Sequence, residues 1–240
     1  MATHLLKALL QAGHEVVSVN SRMLEELPLT ADIYILSVKD SALLDVIRNA
    51  VNGREGQLFV HTAGSMSLDL FKGCCTRYGV LYPMQTFSLD REVNFREIPL
   101  FIEASDVATL QQIRVLADSI SQHVYELSTA DRRYLHLAAV FACNFANHCY
   151  ALAADVLAQK GLPFDVMLPL IDETARKVHE LHPTDAQTGP AVRGDQNVMA
   201  AQSALLDGRT RTIYNLMSES IQDKKQHDQL RLTEDTGRRV

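Results

Sequence analysis

The sequence has no surplus of positive charge. Its 240 residues include 23 Lys and Arg against 29 Asp and Glu, so the formal net charge is −6. A protein that binds DNA or RNA needs Lys and Arg in excess on some face, because its contacts are made to negatively charged phosphates. We therefore expect no nucleic-acid partner, while the overall balance leaves room for one local anion site.

Cysteines are few, and long apolar runs are missing. The four cysteines, Cys74, Cys75, Cys143 and Cys149, do not have the spacing of a zinc site. No run approaches the ~20 apolar residues that span a bilayer, and the first residues lack the pattern of a secretory signal. The sequence thus predicts a cytoplasmic protein with free thiols, no metal site and no membrane partner.

Apolar residues as such are abundant. They make up 47% of the chain against 22% charged residues, which is enough for a packed core. The length predicts one large domain or two modest ones. Because the hydrophobic periodicity changes along the chain, we place a domain boundary between residues 127 and 128.

Residues 1–127 alternate between strand-like and helix-like patterns, which predicts an α/β domain with a doubly wound parallel sheet. The nearly continuous apolar run at 33–38 is typical of a parallel strand covered on both faces. The predicted strands are 14–19, 33–38, 58–60, 80–82, 100–102 and 123–125, and the predicted helices are one that ends before Gly13 and three near 41–51, 66–77 and 106–121.

Residues 128–240 are predicted to be all helical. Apolar positions recur every three or four residues from Thr129 to Lys160, and neither Pro nor Gly interrupts this stretch. Ser128 is a suitable N-cap for the resulting long helix. Further helical patterns lie at 164–180, 196–206 and 209–230.

The chain opens on a helix. A dinucleotide-binding fold begins with a strand and a Gly-rich turn, which lead into a helix whose N-terminus faces the pyrophosphate. Its second strand ends where an acidic residue binds a ribose 2′-hydroxyl or an Arg binds a 2′-phosphate. Here strand 14–19 is followed by Ser21 and Arg22 with no carboxylate beside them. This favours NADP over NAD; a solvated Arg after a strand is the alternative.

An ordered set of short motifs runs through the whole chain. They are ATHL at 2–5, GHEVV at 13–17, SVKD at 37–40, HTAGS at 61–65, YPMQTF at 82–87 and TGPAVRGD at 188–195. Together they resemble a family of Rossmann-like NADP oxidoreductases with a C-terminal domain of unknown function. That family is related to pyrroline-5-carboxylate reductase, 6-phosphogluconate dehydrogenase and the deazaflavin-dependent NADP oxidoreductases.

The resemblance implies a C-terminal domain of the 6-phosphogluconate dehydrogenase type, which forms a homodimer in relatives, and NADP as cofactor. In the family pattern a strand and a Gly-rich turn precede what is here Ala2. About a dozen residues would supply them, given a strand of ~5–6 residues. We favour a start placed too far downstream; the alternative is a truncated homologue that has lost cofactor binding.

Two predicted strand ends carry candidate cofactor-binding residues. Val38 and Lys39 follow one strand, and His61, Thr62 and Ala63 follow the next, so all five are expected at the cofactor crevice. Small residues there let a ribose and a nicotinamide approach the backbone, and hydroxyls or a His can bind ribose oxygens. The alternative for His61 is a loop histidine that caps a helix or bonds a carbonyl.

His136, Val140 and Asn144 recur four residues apart, which predicts one common face of the long helix. In 6-phosphogluconate dehydrogenase-like proteins a Lys and an Asn on this helix serve as acid/base and substrate holder. The resemblance implies that Asn144 orients the substrate, whereas Val140 stands in place of the Lys and cannot move a proton. His136 is the candidate for proton exchange; a structural His and Asn in a helical interface are the alternative.

Arg193 is the third candidate catalytic residue. Gly189, Pro190 and Gly194 specify a tight backbone path around it, and its guanidinium can clamp a carboxylate or phosphate. We expect Asp195 to cap the next helix. The alternative is a structural turn in which Arg193 pairs with Asp195.

Two functions follow from these residues. The first is an NADP(H)-dependent oxidoreductase that transfers a hydride to or from an unidentified small, anionic substrate. The second is a non-catalytic homologue that acts as a nucleotide sensor or a dimeric interaction module. The absence of a Gly-rich turn and the presence of Val140 favour the second.

Overall fold

The computed structural model describes residues 1–237. The chain divides into two compact units, residues 1–147 and residues 148–240. The boundary predicted at 127/128 is where the sheet gives way to helices, whereas the division into units falls within the long helix that follows.

The first unit is built on a five-stranded sheet. Its strands are Tyr34–Leu36 (β1), Leu58–His61 (β2), Arg77–Pro83 (β3), Leu100–Ala104 (β4) and Val124–Glu126 (β5), in the spatial order β1-β2-β3-β4-β5. Strands β1, β2 and β3 are parallel, β4 runs antiparallel to β3, and β5 is parallel to β4. The predicted doubly wound α/β fold is confirmed: the sheet is mostly parallel, with the one antiparallel pairing of the described strands between β3 and β4.

Helices cover both faces of this sheet. Ala2–Gln11 (α1) and Val107–Ile120 (α3) pack on one face, and Asp40–Val51 (α2) packs on the other. Each helix turns an apolar stripe inward, as an amphipathic helix of an α/β layer must. The fully buried strand β2 illustrates the two layers: Val60 belongs to the core of the α1 and α3 face and Phe59 to that of the α2 face.

The predicted strand 14–19 does not form. Strand β1 is paired only with β2, and a cavity of about 760 Å³ is lined by residues 15–21 on one side and by β1 on the other. A β-prone segment needs a neighbouring strand to satisfy its backbone N–H and C=O groups. Without one at hydrogen-bonding distance, the segment stays irregular despite its valines.

The predicted helix 66–77 is also wrong. Only a short 3₁₀ turn forms there, at Leu68–Phe71, and it begins where the Ser67 hydroxyl accepts a hydrogen bond from the Asp69 N–H at 3.1 Å. Gly73 adopts a φ of 80°, a left-handed conformation that ends helical propagation. The chain then enters β3 at Arg77.

The predicted long helix is present with one irregular turn. It consists of Thr129–Ala139 (α4), a π-helical turn at Val140–Phe145 and Ala146–Ala158 (α5). Ser128 is its N-cap, as predicted, and accepts from the Asp131 N–H at 3.2 Å. Because π-type hydrogen bonds join residues five apart, the turn contains one extra residue. The extra residue changes the helical phase between His136 and Asn144, and the common face of His136, Val140 and Asn144 stays a prediction.

This 30-residue helix has an 18-residue window of mean hydropathy 1.3, and none of the residues in that window is buried. By length and composition alone it is long and apolar enough to cross a membrane. One such helix is weak evidence, because the core helices of soluble proteins pass the same test. The observation nevertheless shows a large apolar helical surface that the described chain does not cover.

The second unit is helical, as predicted. After a 3₁₀ turn at Phe164–Met167, its helices are Leu168–Glu180 (α6), Pro190–Arg193 (α7), Gln196–Ala204 (α8) and Gly208–Gly237 (α9). Among the side chains described for this unit, only Ala191 and Met199 are buried hydrophobics. Its helices thus expose most of their apolar side chains.

Candidate active site

The candidate site lies at the carboxyl edge shared by the parallel strands β1, β2 and β3. In an open α/β sheet, this edge is where ligands bind. The loops after β1 and β2 are tied together there: the Ser65 hydroxyl donates to Asp40 Oδ2 at 2.6 Å, and the Thr62 N–H donates to the Leu36 carbonyl at 3.2 Å. The structure therefore brings four predicted residues to one edge: Val38, Lys39, Thr62 and Ala63.

His61 is at this edge, but it faces inward. Its side chain is fully buried, its Nδ1 accepts from the Ala63 N–H at 3.2 Å, and its Nε2 lies 3.3 Å from the Ser67 carbonyl. Burial, with the nearby charge of Arg132, lowers the pKa of His61 to about 4, so the ring is neutral. Both ring nitrogens are used within its own loop, which fits the alternative of a loop histidine that bonds a carbonyl rather than the prediction that His61 contacts the cofactor.

Arg132 is the largest fully buried side chain in the molecule as described, and it joins helix α4 to the loop after β2. Its Nη1 donates to the carbonyls of Ala63, Gly64 and Met66 at 2.8–3.0 Å. Its Nη2 donates to Glu103 Oε2 on β4, also at 3.0 Å. A buried cation persists only when it is paired and hydrogen-bonded. Arg132 therefore fixes the path of residues 63–66.

One helical turn later, His136 meets the same loop. Its Nδ1 lies 3.1 Å from the hydroxyl of Tyr82, the penultimate residue of β3. A Cβ on Gly64 would come within 2.6 Å of this Nδ1 and 2.7 Å of the Tyr82 ring. Only glycine lets the loop approach so closely, and the contact places a titratable pair directly beside Thr62 and Ala63.

Ser21 and Arg22 follow segment 14–19 and are exposed. The Arg22 N–H donates to Asn20 Oδ1 at 3.0 Å, which forms a small turn, and Ser21 lines the cavity beside β1. Arg22 does not line that cavity in this conformation. Its guanidinium makes no hydrogen bond or ion pair with any residue that the structure describes.

Asn144 and Arg193 are both exposed. Asn144 lies exposed in the π-helical turn. In the second unit, Arg193 makes a two-point contact with Asp195, with Nε and Nη2 each 2.9 Å from Oδ2. The predicted capping role of Asp195 is wrong, because its side chain makes no bond to the next helix. The pairing of Arg193 with Asp195 occupies the guanidinium that was predicted to hold a substrate.

Comparison with known proteins identifies the family. The model for the domain of unknown function DUF2520 matches residues 98–221. A solved structure described as a "putative NADP oxidoreductase" from Bacteroides fragilis is 48% identical, with a TM-score of 0.88 over 92% of this chain and 94% of that chain. The chain belongs to the DUF2520 family.

Two more distant structures of the same fold are named as reductases. A Streptomyces aurantiacus imine reductase matches at 15% identity and a TM-score of 0.55, over 91% of this chain and 83% of that chain. A Plasmodium falciparum pyrroline carboxylate reductase with NADP bound matches at 12% identity and a TM-score of 0.50, over 92% and 94%. Among curated proteins, none matches. The fold of this chain is thus Rossmann-like with a helical C-terminal region.

The residues of this DUF2520 member fit a dinucleotide at the carboxyl edge. The Ser37 hydroxyl lies 3.4 Å from Met1 Sδ, so the N-terminus of α1 reaches this edge. The first turn of α1 carries no acidic residue and no side-chain cap. Its amides and positive dipole end suit a phosphate. In the part of the chain that the structure describes, no cluster of His, Cys, Asp or Glu side chains has the arrangement of a metal site.

Sequence reasoning missed Arg132, Glu103 and Tyr82. Arg132 follows the N-cap Ser128 by four residues and looks like an ordinary solvated arginine in a first helical turn. Tyr82 was recognised only as part of a motif after a strand. The available signal was HTAGS at 61–65, whose Gly64 indicates a close approach by another element.

Proposed function

We propose that this chain is an NADP(H)-dependent oxidoreductase that transfers a hydride to or from a small, anionic substrate. The observation that carries the proposal is the junction at Gly64, where the loop after β2 meets the His136–Tyr82 pair at the edge that binds ligands in this fold. The 48% identity to the Bacteroides fragilis protein over nearly the whole chain supports it.

NADP(H) would be held by residues from three neighbouring segments. Ser21 and Arg22 are proposed to bind the 2′-phosphate, since Arg suits bidentate phosphate contacts. Val38, Lys39, Thr62 and Ala63 are proposed to line the ribose and nicotinamide end. The cofactor supplies the hydride chemistry, and the protein supplies placement and proton exchange.

Asn144 and Arg193 are proposed to hold the substrate. The exposed amide of Asn144 can donate to and accept from a substrate heteroatom. Arg193 binds an anionic group once that group replaces the carboxylate of Asp195. The exchange costs little, because an exposed ion pair contributes only ~0–1 kcal/mol.

We further propose that the chain is a cytoplasmic homodimer with no membrane or nucleic-acid partner. The exposed side chains of the long helix include Leu137, Phe141 and Phe145, which are 50–64% exposed. A second copy that packs on this surface would bury it. A solution mass measurement without detergent tests this: a dimer supports the proposal, a monomer contradicts it, and recovery only in the membrane fraction would assign the helix to a bilayer.

A titration with NADPH and NADH tests the proposed function. Arg22→Ala should weaken NADPH binding about 10- to 100-fold, as expected for a lost charge-assisted contact of ~1.5–3 kcal/mol, and should leave NADH binding unchanged. Arg48→Ala, in the last turn of α2, is the matched control and should change neither affinity. Equal losses for both cofactors would refute the 2′-phosphate role.

No binding of either cofactor would favour the non-catalytic homologue. The same titration with the chain extended upstream of Met1 then shows whether binding requires residues that precede it. If the extended chain also fails to bind, the oxidoreductase proposal is overturned.

A further inference from the structure

We propose that Tyr82 and His136 form a two-residue proton relay in which the Tyr82 hydroxyl exchanges the proton with the substrate and His136 stores it. The relay rests on the proposed oxidoreductase function, and it adds Tyr82 as a catalytic residue. It also changes the role of His136, which the sequence indicated as the group that meets the substrate itself.

The geometry fixes the pair from two sides. The Tyr82 hydroxyl lies 3.1 Å from His136 Nδ1, and the two rings meet edge to face with centroids 6.0 Å apart. Phe101 on β4 packs near the Tyr82 ring with centroids 6.3 Å apart. Gly64 touches both members of the pair. Because strand, loop and helix all meet here, the hydroxyl and the imidazole are held in register.

The chemistry requires a group that can both donate and accept. A phenol hydroxyl donates to the bare Nδ1 of a neutral imidazole and accepts from the N–H of a protonated one. Burial raises the pKa of Tyr82, so the hydroxyl keeps its proton at neutral pH. The other titratable or charged groups that act on it are Arg132, Cys143 and Asp40. None of the three is a hydrogen-bond partner of its hydroxyl, whereas His136 is.

The pair lies next to the loop that is proposed to hold the cofactor. Gly64 directly follows Thr62 and Ala63, which are proposed to line the nicotinamide end. Both members of the pair lie against that glycine: His136 Nδ1 is 2.6 Å and Tyr82 Cζ 2.7 Å from the place a Cβ would occupy. Val140, four residues after His136, offers no proton-carrying group. We assign the contact with the substrate to the Tyr82 hydroxyl, because it can take a proton from Nδ1 while it donates its own.

The proton and electron balance of the step is complete. In the reducing direction, the substrate carbon of a C=O or C=N bond receives the hydride, and the substrate heteroatom takes the proton of the Tyr82 hydroxyl. The Tyr82 oxygen takes the Nδ1 proton of the imidazolium form of His136, which becomes neutral. After product release, water returns the proton through the same hydroxyl. Oxidation reverses every transfer.

The relay predicts that the two side chains are coupled in solution. We would record the ¹³Cζ signal of Tyr82 and the ¹⁵N signals of His136 against pH, in the free protein and with excess NADPH. The expected result is a Tyr82 signal that shifts with the same midpoint as protonation of His136. A Tyr82 hydroxyl that is not bonded to His136 Nδ1 would not follow that titration.

Variants identify the signals and decide the outcome. His136→Gln should abolish the pH-dependent shift of Tyr82, and Tyr82→Phe should allow His136 to populate both tautomers. Tyr125→Phe, a tyrosine stacked on the other side of Phe101, is the control and should leave the coupling intact. A Tyr82 signal that ignores His136, or that uncouples from it with NADPH bound, overturns the relay. If NADPH does not bind, the proposed function fails, while the coupling in the free protein still decides the relay.

Discussion

Two arginines carry the same guanidinium in opposite surroundings. Arg132 in the first unit has a fully buried side chain and is bonded to three loop carbonyls, Glu103 and Thr129. Arg193 in the second unit has a side chain that is 61% exposed and, among the side chains that the structure describes, pairs with Asp195 alone. The sequence pointed to the second, since glycines and a proline surround it, and gave no reason to single out the first.

The difference in burial separates an arginine that stabilises the fold from one that can bind a ligand. Burial lowers the pKa of Arg132, and its bonds to Glu103 act against that shift, so the charge is supported by the acceptors that Nη1 and Nη2 reach. An exposed pair such as Arg193–Asp195 can trade one anion for another at little cost. Arg132 in the first unit thus holds a loop in place, whereas Arg193 in the second unit can exchange its anionic partner.

Loss of the buried cation should have the largest effect. Arg132→Met removes the charge and strands Glu103 and three carbonyls, so we expect a loss of about 3–5 kcal/mol in the free energy of unfolding. Urea unfolding measures it. Arg133→Met, at the neighbouring exposed position, is the control and should change stability by less than about 0.5 kcal/mol. Similar small losses of stability in Arg132→Met and Arg133→Met would show that Arg132 does not stabilise the fold as its burial indicates.

The buried loop should also respond to pH. The pKa of His61 falls from 6.5 to about 4 in the folded protein. As the pH drops, the unfolded chain therefore takes up this proton before the folded chain does. The contribution of the neutral His61 to the free energy of unfolding is fully present above pH 6.5 and is lost toward pH 4. At 1.36 kcal/mol per unit, the loss is about 3 kcal/mol.

Unfolding at several pH values checks this. His61→Gln should flatten the part of the profile between pH 6.5 and 4. His179→Gln, at an exposed position of α6, should leave the profile unchanged. If the wild type and His61→Gln show the same slope, the ring of His61 is not held neutral by burial.

Gly64 tests how closely the buried loop and helix α4 are packed. Gly64→Ala places a Cβ inside contact distance of His136 and Tyr82, and overpacking of this kind costs ~1–3 kcal/mol. Thermal and urea unfolding give the cost. Gly56→Ala, where a Cβ would meet nothing within 4 Å, should be nearly neutral. An equally neutral Gly64→Ala would mean that the loop is free to move away.

The exposed arginine should have the smallest effect on stability. Arg193→Ala is expected to change the free energy of unfolding by less than ~1 kcal/mol, because exposed ion pairs contribute little. Chemical denaturation beside Arg132→Met makes the contrast direct. A loss as large as that of Arg132→Met would give Arg193 a structural role and remove it from the proposed substrate site.

The fold class could be read from the sequence, because alternating apolar runs and helical periodicities are local signals. Strand 14–19 could not, since a strand exists only with a partner and the partner is not a property of the segment. The antiparallel course of β4 was equally invisible to a pattern that shows strands but not their direction.

The site was predictable only in part, for a similar reason. HTAGS at 61–65 and His136 were recognised separately, and their meeting at Gly64 is a tertiary contact. His61 was misjudged because the pattern says where a side chain begins but not which way it faces. Arg132 looks the same in the sequence whether it is solvated or buried, and only its acceptors distinguish the two.

The π-helical turn at Val140–Phe145 acts as a rotational offset built into one helix. One additional residue turns every later side chain by about 100° relative to an uninterrupted α-helix, since each residue of a 3.6-residue turn occupies that angle. Val140 and Asn144 therefore need not keep the angular relation to each other that the same spacing gives in a regular α-helix. A single extra residue in a helix can therefore change which side chains face a ligand, even where the residue types and their spacing in the sequence stay the same.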